Sequence, residues 1–219
     1  MSLHEQLVQQ KTAVIEKRSD DVVEVVVKTT QELHDSGIAE QAPTVGNDFQ
    51  MFTLPNQEGY EVSLRELLKK GPVIVTFYRG GWCPYCNLEL RAYQQLLPQI
   101  NEAGATLVAI TPELPDESLS TRQKNELDFQ VLTDRDSAYA RELGLVFTLP
   151  DELRPIYQNF GIDIEKHNGA GQFDLPLAAT FVVDSSGKVS YSFATADYTQ
   201  RAEPSEVLKA VEAFASKVG

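Results

Sequence analysis

The chain of 219 residues carries 19 Lys and Arg against 32 Asp and Glu, a net charge of −13. Such acidity without a basic cluster repels phosphate backbones and excludes nucleic acid as the expected partner. No apolar run approaches the roughly 20 residues of a membrane helix, and the polar start Met1-Ser-Leu-His-Glu-Gln-Leu7 lacks the basic and then apolar regions of a signal peptide, so no membrane association is expected and the cytoplasm is the expected location.

Residues 1 to about 40 read as an N-terminal helical extension. Leu3, Leu7 and Val14 recur at roughly helical spacing in a polar background. The run Val22, Val23, Val25, Val26, Val27 has strand composition, but Glu24 interrupts it, Leu33 continues a helical face and Gly37 suits a helix C-terminus. The apolar stripe has no reactive residue beside it, which points to packing on the domain or to pairing of two copies.

Residues 41–48, with Pro43, Gly46 and Asn47, look like a linker. A single domain over 41–219 is expected beyond it. Phe49 to Leu54 is a candidate strand. Ser63-Leu-Arg-Glu66 has the spacing of a capping box for a short helix through Lys69. Pro72 to Tyr78 is apolar on both faces, as a central parallel strand is. A long helix follows to about Ile100, with Tyr93, Leu96, Leu97 and Ile100 on one face. Thr106 to Ile110 and Phe129 to Leu132 are two more strands, separated by a polar helix around Glu117 to Glu126. Ser137 to Leu143 is another short helix. Thr180 to Val183 and Lys188 to Phe193 flank Asp184-Ser-Ser-Gly187 as a hairpin, and Pro204 opens a last helix to about Val218. Strands alternating with helices and ending in a hairpin predict an α/β fold, a mixed central sheet covered on both faces.

The chemistry concentrates in Phe77-Tyr-Arg-Gly-Gly-Trp-Cys-Pro-Tyr-Cys-Asn-Leu-Glu-Leu90. A buried strand ends, two glycines turn the chain, and the only two cysteines, Cys83 and Cys86, stand at the start of a helix. Unpaired amides and the positive dipole end of a first helical turn stabilise an anion, which lowers the pKa of a thiol placed there. Arg79 is near enough in sequence to add to this. The spacing lets one sulfur attack while the other closes a disulfide. A zinc site needs about four ligands, and His4, His34 and His167 are remote in sequence, without ligand spacing.

Trp82-Cys-Pro-Tyr-Cys86 resembles the active-site segment of thioredoxins. The wider chain is similar to the peroxiredoxin-like group, the alkyl hydroperoxide reductase and thiol-specific antioxidant family of the thioredoxin-like superfamily. Gly46 to Leu54 resembles its entry strand, Phe77 to Glu89 its active-site turn, Ala109 to Pro112 the next strand and loop, and Thr180 to Asp184 with Gly187 to Val189 the late hairpin. The resemblance spans roughly 44 to 215 and implies a thioredoxin-like fold. It also implies a thiol-dependent peroxidase acting on hydrogen peroxide or organic hydroperoxides. On the peroxiredoxin register Cys86 attacks peroxide, becomes a sulfenic acid and is resolved by Cys83, with Glu89 at the expected offset and Trp82 and Arg79 in support. A thioredoxin-like or glutathione-type reductant would reset the disulfide, and no metal, flavin or nucleotide is implied. The thioredoxin register instead makes Cys83 the nucleophile of a protein disulfide reductase, and a redox sensor that changes partners is a further reading. One departure stands out: Ala178 occupies the place where peroxiredoxins carry an Arg and thioredoxins a cis-Pro. Arg79 is the candidate to replace that charge, unless it is solvated as most arginines after a strand are.

Overall fold

The computed structural model describes residues 1–218, with the side chains of the last helix described through residue 213. In chain order the elements are α1 (Leu3–Ile15), α2 (Asp20–Asp35), β1 (Thr53–Pro55), β2 (Glu61–Ser63), α3 (Leu64–Leu68), β3 (Val73–Phe77), α4 (Pro84–Glu102), β4 (Thr106–Thr111), α5 (Pro115–Lys124), β5 (Gln130–Thr133), α6 (Ala138–Glu142), β6 (Val146–Thr148), α7 (Arg154–Asn159), α8 (Ile164–Asn168), β7 (Asp174–Pro176), β8 (Ala178–Val183), β9 (Val189–Thr195) and α9 (Pro204–Val218).

Five strands form the central sheet in the order β5-β4-β3-β8-β9. β3 runs parallel to β4 and antiparallel to β8, and β9 returns antiparallel beside β8. The sheet is mixed, as predicted. Its central strand shows why Pro72 to Tyr78 reads apolar throughout. Val73, Val75 and Phe77 face one core with Leu64, Leu68, Tyr139 and Phe181, while Ile74 faces the other with Leu90, Tyr93, Leu107 and Val207. Successive side chains alternate between faces, so a strand covered on both sides has no polar position to spare.

The N-terminal segment is helical, including its valine run. The Ser2 hydroxyl accepts a hydrogen bond from the Glu5 amide and the Glu5 carboxylate accepts one from the Ser2 amide, a complete capping box. Glu203, at the other end of the chain, accepts from the amides of Leu3 and His4 at 3.1 Å each. Two carboxylates therefore satisfy the first turn of α1, and Leu3 and Leu7 bury into the core beneath α4. Just past the end of α2, Gly37 adopts φ +69°, the left-handed conformation a glycine takes just past a helix. Val25 and Val26 pack on a third cluster made by Leu149, Leu153, Tyr157, Ile164 and Leu175.

Several local expectations are corrected. Only Thr53 and Leu54 of the segment 49–54 are strand, within β1, which pairs with β2 in a small hairpin. Phe49 and Phe52 plug the core instead. The 41–48 segment is not a free linker: its backbone is tied to β9, Gly46 donating to Val189 and Val189 to Asn47. The helix after Ser63 forms, but Ser63 makes no side-chain cap because it ends β2, and Glu66 turns to Lys69 at 2.7 Å. The stretch 144–177, for which the sequence suggested no element, forms β6 paired with β7 and the short helices α7 and α8.

Leu7→Ala removes a side chain that is 3% exposed. It is expected to lower the unfolding free energy by about 2–4 kcal/mol in urea denaturation, whereas Val8→Ala, one residue on and half exposed, should change it by less than about 0.5 kcal/mol.

Candidate active site

β3 delivers the chain to Tyr78 and Arg79, and the Gly80-Gly81 turn redirects it into α4. Methyl groups are excluded there: a Cβ at Gly80 would lie 2.2 Å from Trp82 Nε1, and one at Gly81 1.9 Å from Thr121 Oγ1. The turn is pinned by Glu113, which is fully buried. Its Oε1 accepts from the Gly81 amide at 2.8 Å, and its Oε2 accepts from the hydroxyls of Tyr78 and Thr121 at 3.3 and 3.2 Å. Asn87 donates to the Gly81 carbonyl and accepts from Asn125. His167 Nδ1 approaches Glu113 and Glu117 at 3.3 and 2.9 Å. These three residues have the donor types of a metal site, but the Glu113 oxygens are already held by three protein donors.

Cys83 is the N-cap of α4, Pro84 its first residue and Cys86 its third. Both thiols are free and fully buried, and each meets its own guanidinium. Arg79 Nη2 donates to Cys83 Sγ at 3.3 Å. Arg201 Nη2 donates to Cys86 Sγ at 3.2 Å. Arg79 is 3% exposed, donates to Tyr157 Oη at 3.1 Å and lies 4.2 Å from the centroid of Tyr198 and 5.0 Å from that of Trp82. It is therefore no solvated surface residue. Arg201 donates through Nε to Glu89 Oε2 at 2.6 Å and through Nη1 to the Tyr198 and Gln200 carbonyls. The Thr76 hydroxyl donates to Glu89 Oε1 at 3.3 Å.

Two guanidiniums in a buried site require negative charge close by. Glu89 compensates Arg201, although burial pushes its carboxyl up to about 7 against the pull of Arg201 and Thr76. Among the described residues Arg79 has no carboxylate partner, so a thiolate is the anion available to it. Burial opposes ionisation of Cys83, but a hydrogen bond from Cys86 and the charges of Arg79 and Arg201 outweigh it and hold Cys83 well below an ordinary thiol. Burial and the neighbouring Cys83 sulfur push Cys86 well above. Of the two sulfurs Cys83 is therefore the more acidic, and Cys86 is its hydrogen-bond donor.

All five sequence-predicted residues, Arg79, Trp82, Cys83, Cys86 and Glu89, converge here. Sequence reading missed Arg201, 115 residues from Cys86, which brings a second guanidinium onto the dithiol. It also missed Glu113, Tyr157 and Tyr198. No local pattern marks them: Glu113 follows β4, Tyr157 arrives on α7 and Tyr198 follows β9, all remote in sequence from the thiols.

Residues 45–192 match the model of the AhpC/TSA family. A putative peroxiredoxin bcp of Coxiella burnetii is 26% identical over 146 residues, 67% of this chain and 85% of that protein. The crystal structure of peroxidoxin BcpB from Mycobacterium tuberculosis superposes with a TM-score of 0.61 at 22% identity, covering 78% of this chain and 97% of that one. The Xanthomonas campestris bacterioferritin comigratory protein, whose structures concern alkyl peroxide reduction, gives 0.57 at 17% identity over 78% and 99%. At these identities the two structures establish the fold, which is thioredoxin-like as expected.

Removal of the Arg79 charge should raise the pH at which the first thiolate appears. Following the ultraviolet absorbance of the thiolate, the wild type is expected to ionise below the ordinary thiol value of about 8.5, and Arg79→Met at least about one unit higher than wild type.

Proposed function

The chain belongs to the AhpC/TSA family and is a thiol peroxidase; from that premise we propose that Cys83 and Cys86 carry the reaction, with Cys86 as the attacking sulfur and Cys83 as the resolving one. The observation that carries this reading is the buried dithiol with one guanidinium on each sulfur. The proton of the resting dithiol moves along the hydrogen bond between the sulfurs, so Cys86 can hold the charge when peroxide arrives. Cys86 thiolate attacks the terminal oxygen of the hydroperoxide. The O–O bond breaks, the alkoxide leaves and takes a proton from solvent, and Cys86 becomes a sulfenic acid. The Cys83 thiol then condenses with it, forming the disulfide and releasing water. The sum is one thiolate, one thiol, one hydroperoxide and one proton giving a disulfide, an alcohol and water.

Arg201 supports this assignment. Tethered by Glu89 and two carbonyls, it is held where it can stabilise both the Cys86 thiolate and the departing oxygen. Return to the dithiol needs two electrons and two protons from an outside dithiol of the thioredoxin type or from two glutathione-type thiols. A reducing compartment such as the cytoplasm is part of this reading.

A second reading is favoured by one observation, the depressed acidity of Cys83 beside Arg79. In it Cys83 attacks first, as in thioredoxins, and Cys86 resolves. A sulfenic-acid trap after a stoichiometric pulse of peroxide separates the two. Cys83→Ser is expected to accumulate Cys86 sulfenic acid while Cys86→Ser stays largely unoxidised. The reverse pattern transfers the nucleophile to Cys83, and no oxidation of either variant or of the wild type would end the peroxidase reading.

A further inference from the structure

The two arginines of the site are held in different ways. Arg201 is tethered by a carboxylate, Glu89, and by two backbone carbonyls, so its charge is offset where it sits. Arg79 has no such anchor. Among the described residues its guanidinium makes two hydrogen bonds: Nη1 donates to Tyr157 Oη at 3.1 Å and Nη2 to Cys83 Sγ at 3.3 Å. Its Nε is buried without a partner. Tyr198 and Trp82 lie beside it with ring centroids at 4.2 and 5.0 Å. Trp82 in turn meets the Tyr157 ring at 5.7 Å in an edge-on contact. Aromatic rings attract a cation through their quadrupole but carry no net charge that cancels it.

Tyr157 is firmly placed for this contact. It is 7% exposed and packs with Leu149, Leu153, Ile164 and Leu175. Its amide donates to the Leu153 carbonyl at 2.9 Å, which fixes the start of α7. A planar guanidinium gripped at one nitrogen and flanked by rings has its other nitrogens fixed in direction, and here the direction is the sulfur. The residue type matters as much as the place. A carboxylate in the position of the phenol would pair with the guanidinium and withdraw its charge from the thiol.

We propose that Tyr157 is a positioning residue of the reaction: its uncharged hydroxyl, with the rings beside it, aims Arg79 at Cys83 Sγ without neutralising it. The undiminished charge makes Cys83 the sulfur that loses its proton first, against the opposition of burial and with the help of the Cys86 hydrogen bond. As Cys86 attacks, its proton passes to the Cys83 thiolate, and Cys83 then condenses as a thiol. The inference rests on the proposed dithiol reaction for this kinetic meaning, but the ionisation itself is measurable without turnover. The other ionisable groups that face Cys83 are Cys86, Arg201, Glu89, Tyr85 and Tyr198. Burial holds both phenols above their ordinary value, so ultraviolet titration below that range reads the sulfurs.

The test uses Tyr157→Phe in the full chain, which keeps the ring and removes the hydroxyl. Thiolate absorbance of the reduced protein is followed against pH. The first ionisation of Tyr157→Phe is expected about half a unit or more above wild type. In an Arg79→Met background the same substitution should add less than about 0.2 unit, because its effect passes through Arg79. An unmoved ionisation, or an equal shift with and without Arg79, would overturn the proposal. A second arm measures kcat/KM for hydrogen peroxide across pH. Below the ionisation Tyr157→Phe should be slower by about threefold or more, the rate equivalent of half a unit, and should rejoin wild type above it. A uniform loss at every pH would show a merely structural role and overturn the proposal. Absence of turnover in every form, wild type included, would instead overturn the peroxidase reading, and the titration would still decide the role of Tyr157.

Discussion

Two arginines and two sulfurs, all withdrawn from water, share a charge balance on which the rest of this site depends. A guanidinium does not give up its proton in a protein, so Arg79 and Arg201 bring two fixed positive charges into the interior. Glu89 offsets one of them. The other is left facing the dithiol, and the inexpensive way to neutralise it is to ionise a sulfur. Thiolate formation is in this sense imposed by the fold: the protonated pair would leave a buried cation without a counter-charge.

The scaffold serves that balance by holding the helix start still. Glu113 binds the amide of Gly81 while its second oxygen takes the hydroxyls of Tyr78 and Thr121. One carboxylate therefore links the end of β3, the turn and α5. Asn87 and Asn125 extend the connection to the first turn of α4. Side chains locked in this way keep reacting atoms near a productive geometry at little entropic cost during turnover. On the opposite flank Thr76, in the middle of the central strand, orients Glu89, which orients Arg201.

The hairpin α1–α2 adds a second layer. Its first helix is held by the core and by Glu203, so it is bound to the domain at both the apolar and the polar level. Its second helix rests on the cluster built from residues 149–175, a stretch that also supplies Tyr157 to Arg79. The 149–175 stretch and the N-terminal hairpin thus meet on one side of the active-site turn. Both sulfurs are fully buried, and burial strengthens every charge interaction in the site.

Much was legible along the chain. Strand β3 reads apolar on both faces because both faces are covered, the Gly80-Gly81 pair marks a turn that side chains cannot enter, and the Cys-Pro-Tyr-Cys spacing places two sulfurs in one helical turn. These are properties of neighbouring residues, and periodicity and steric fit express them directly. The capping box at Ser63 was misleading because a strand claims that residue first. The three-residue strands β6 and β7 are too short to show alternation. Arg201 and Glu113 were invisible for a different reason. Their chemistry depends on strands and helices distant in sequence being brought together, and the same arginine in another loop would be an ordinary surface charge. The sequence by itself determined the fold class and where the sulfurs stand, because both depend on local pattern. Only the tertiary structure decided which charges surround them, because that depends on which distant segments the closed sheet makes neighbours.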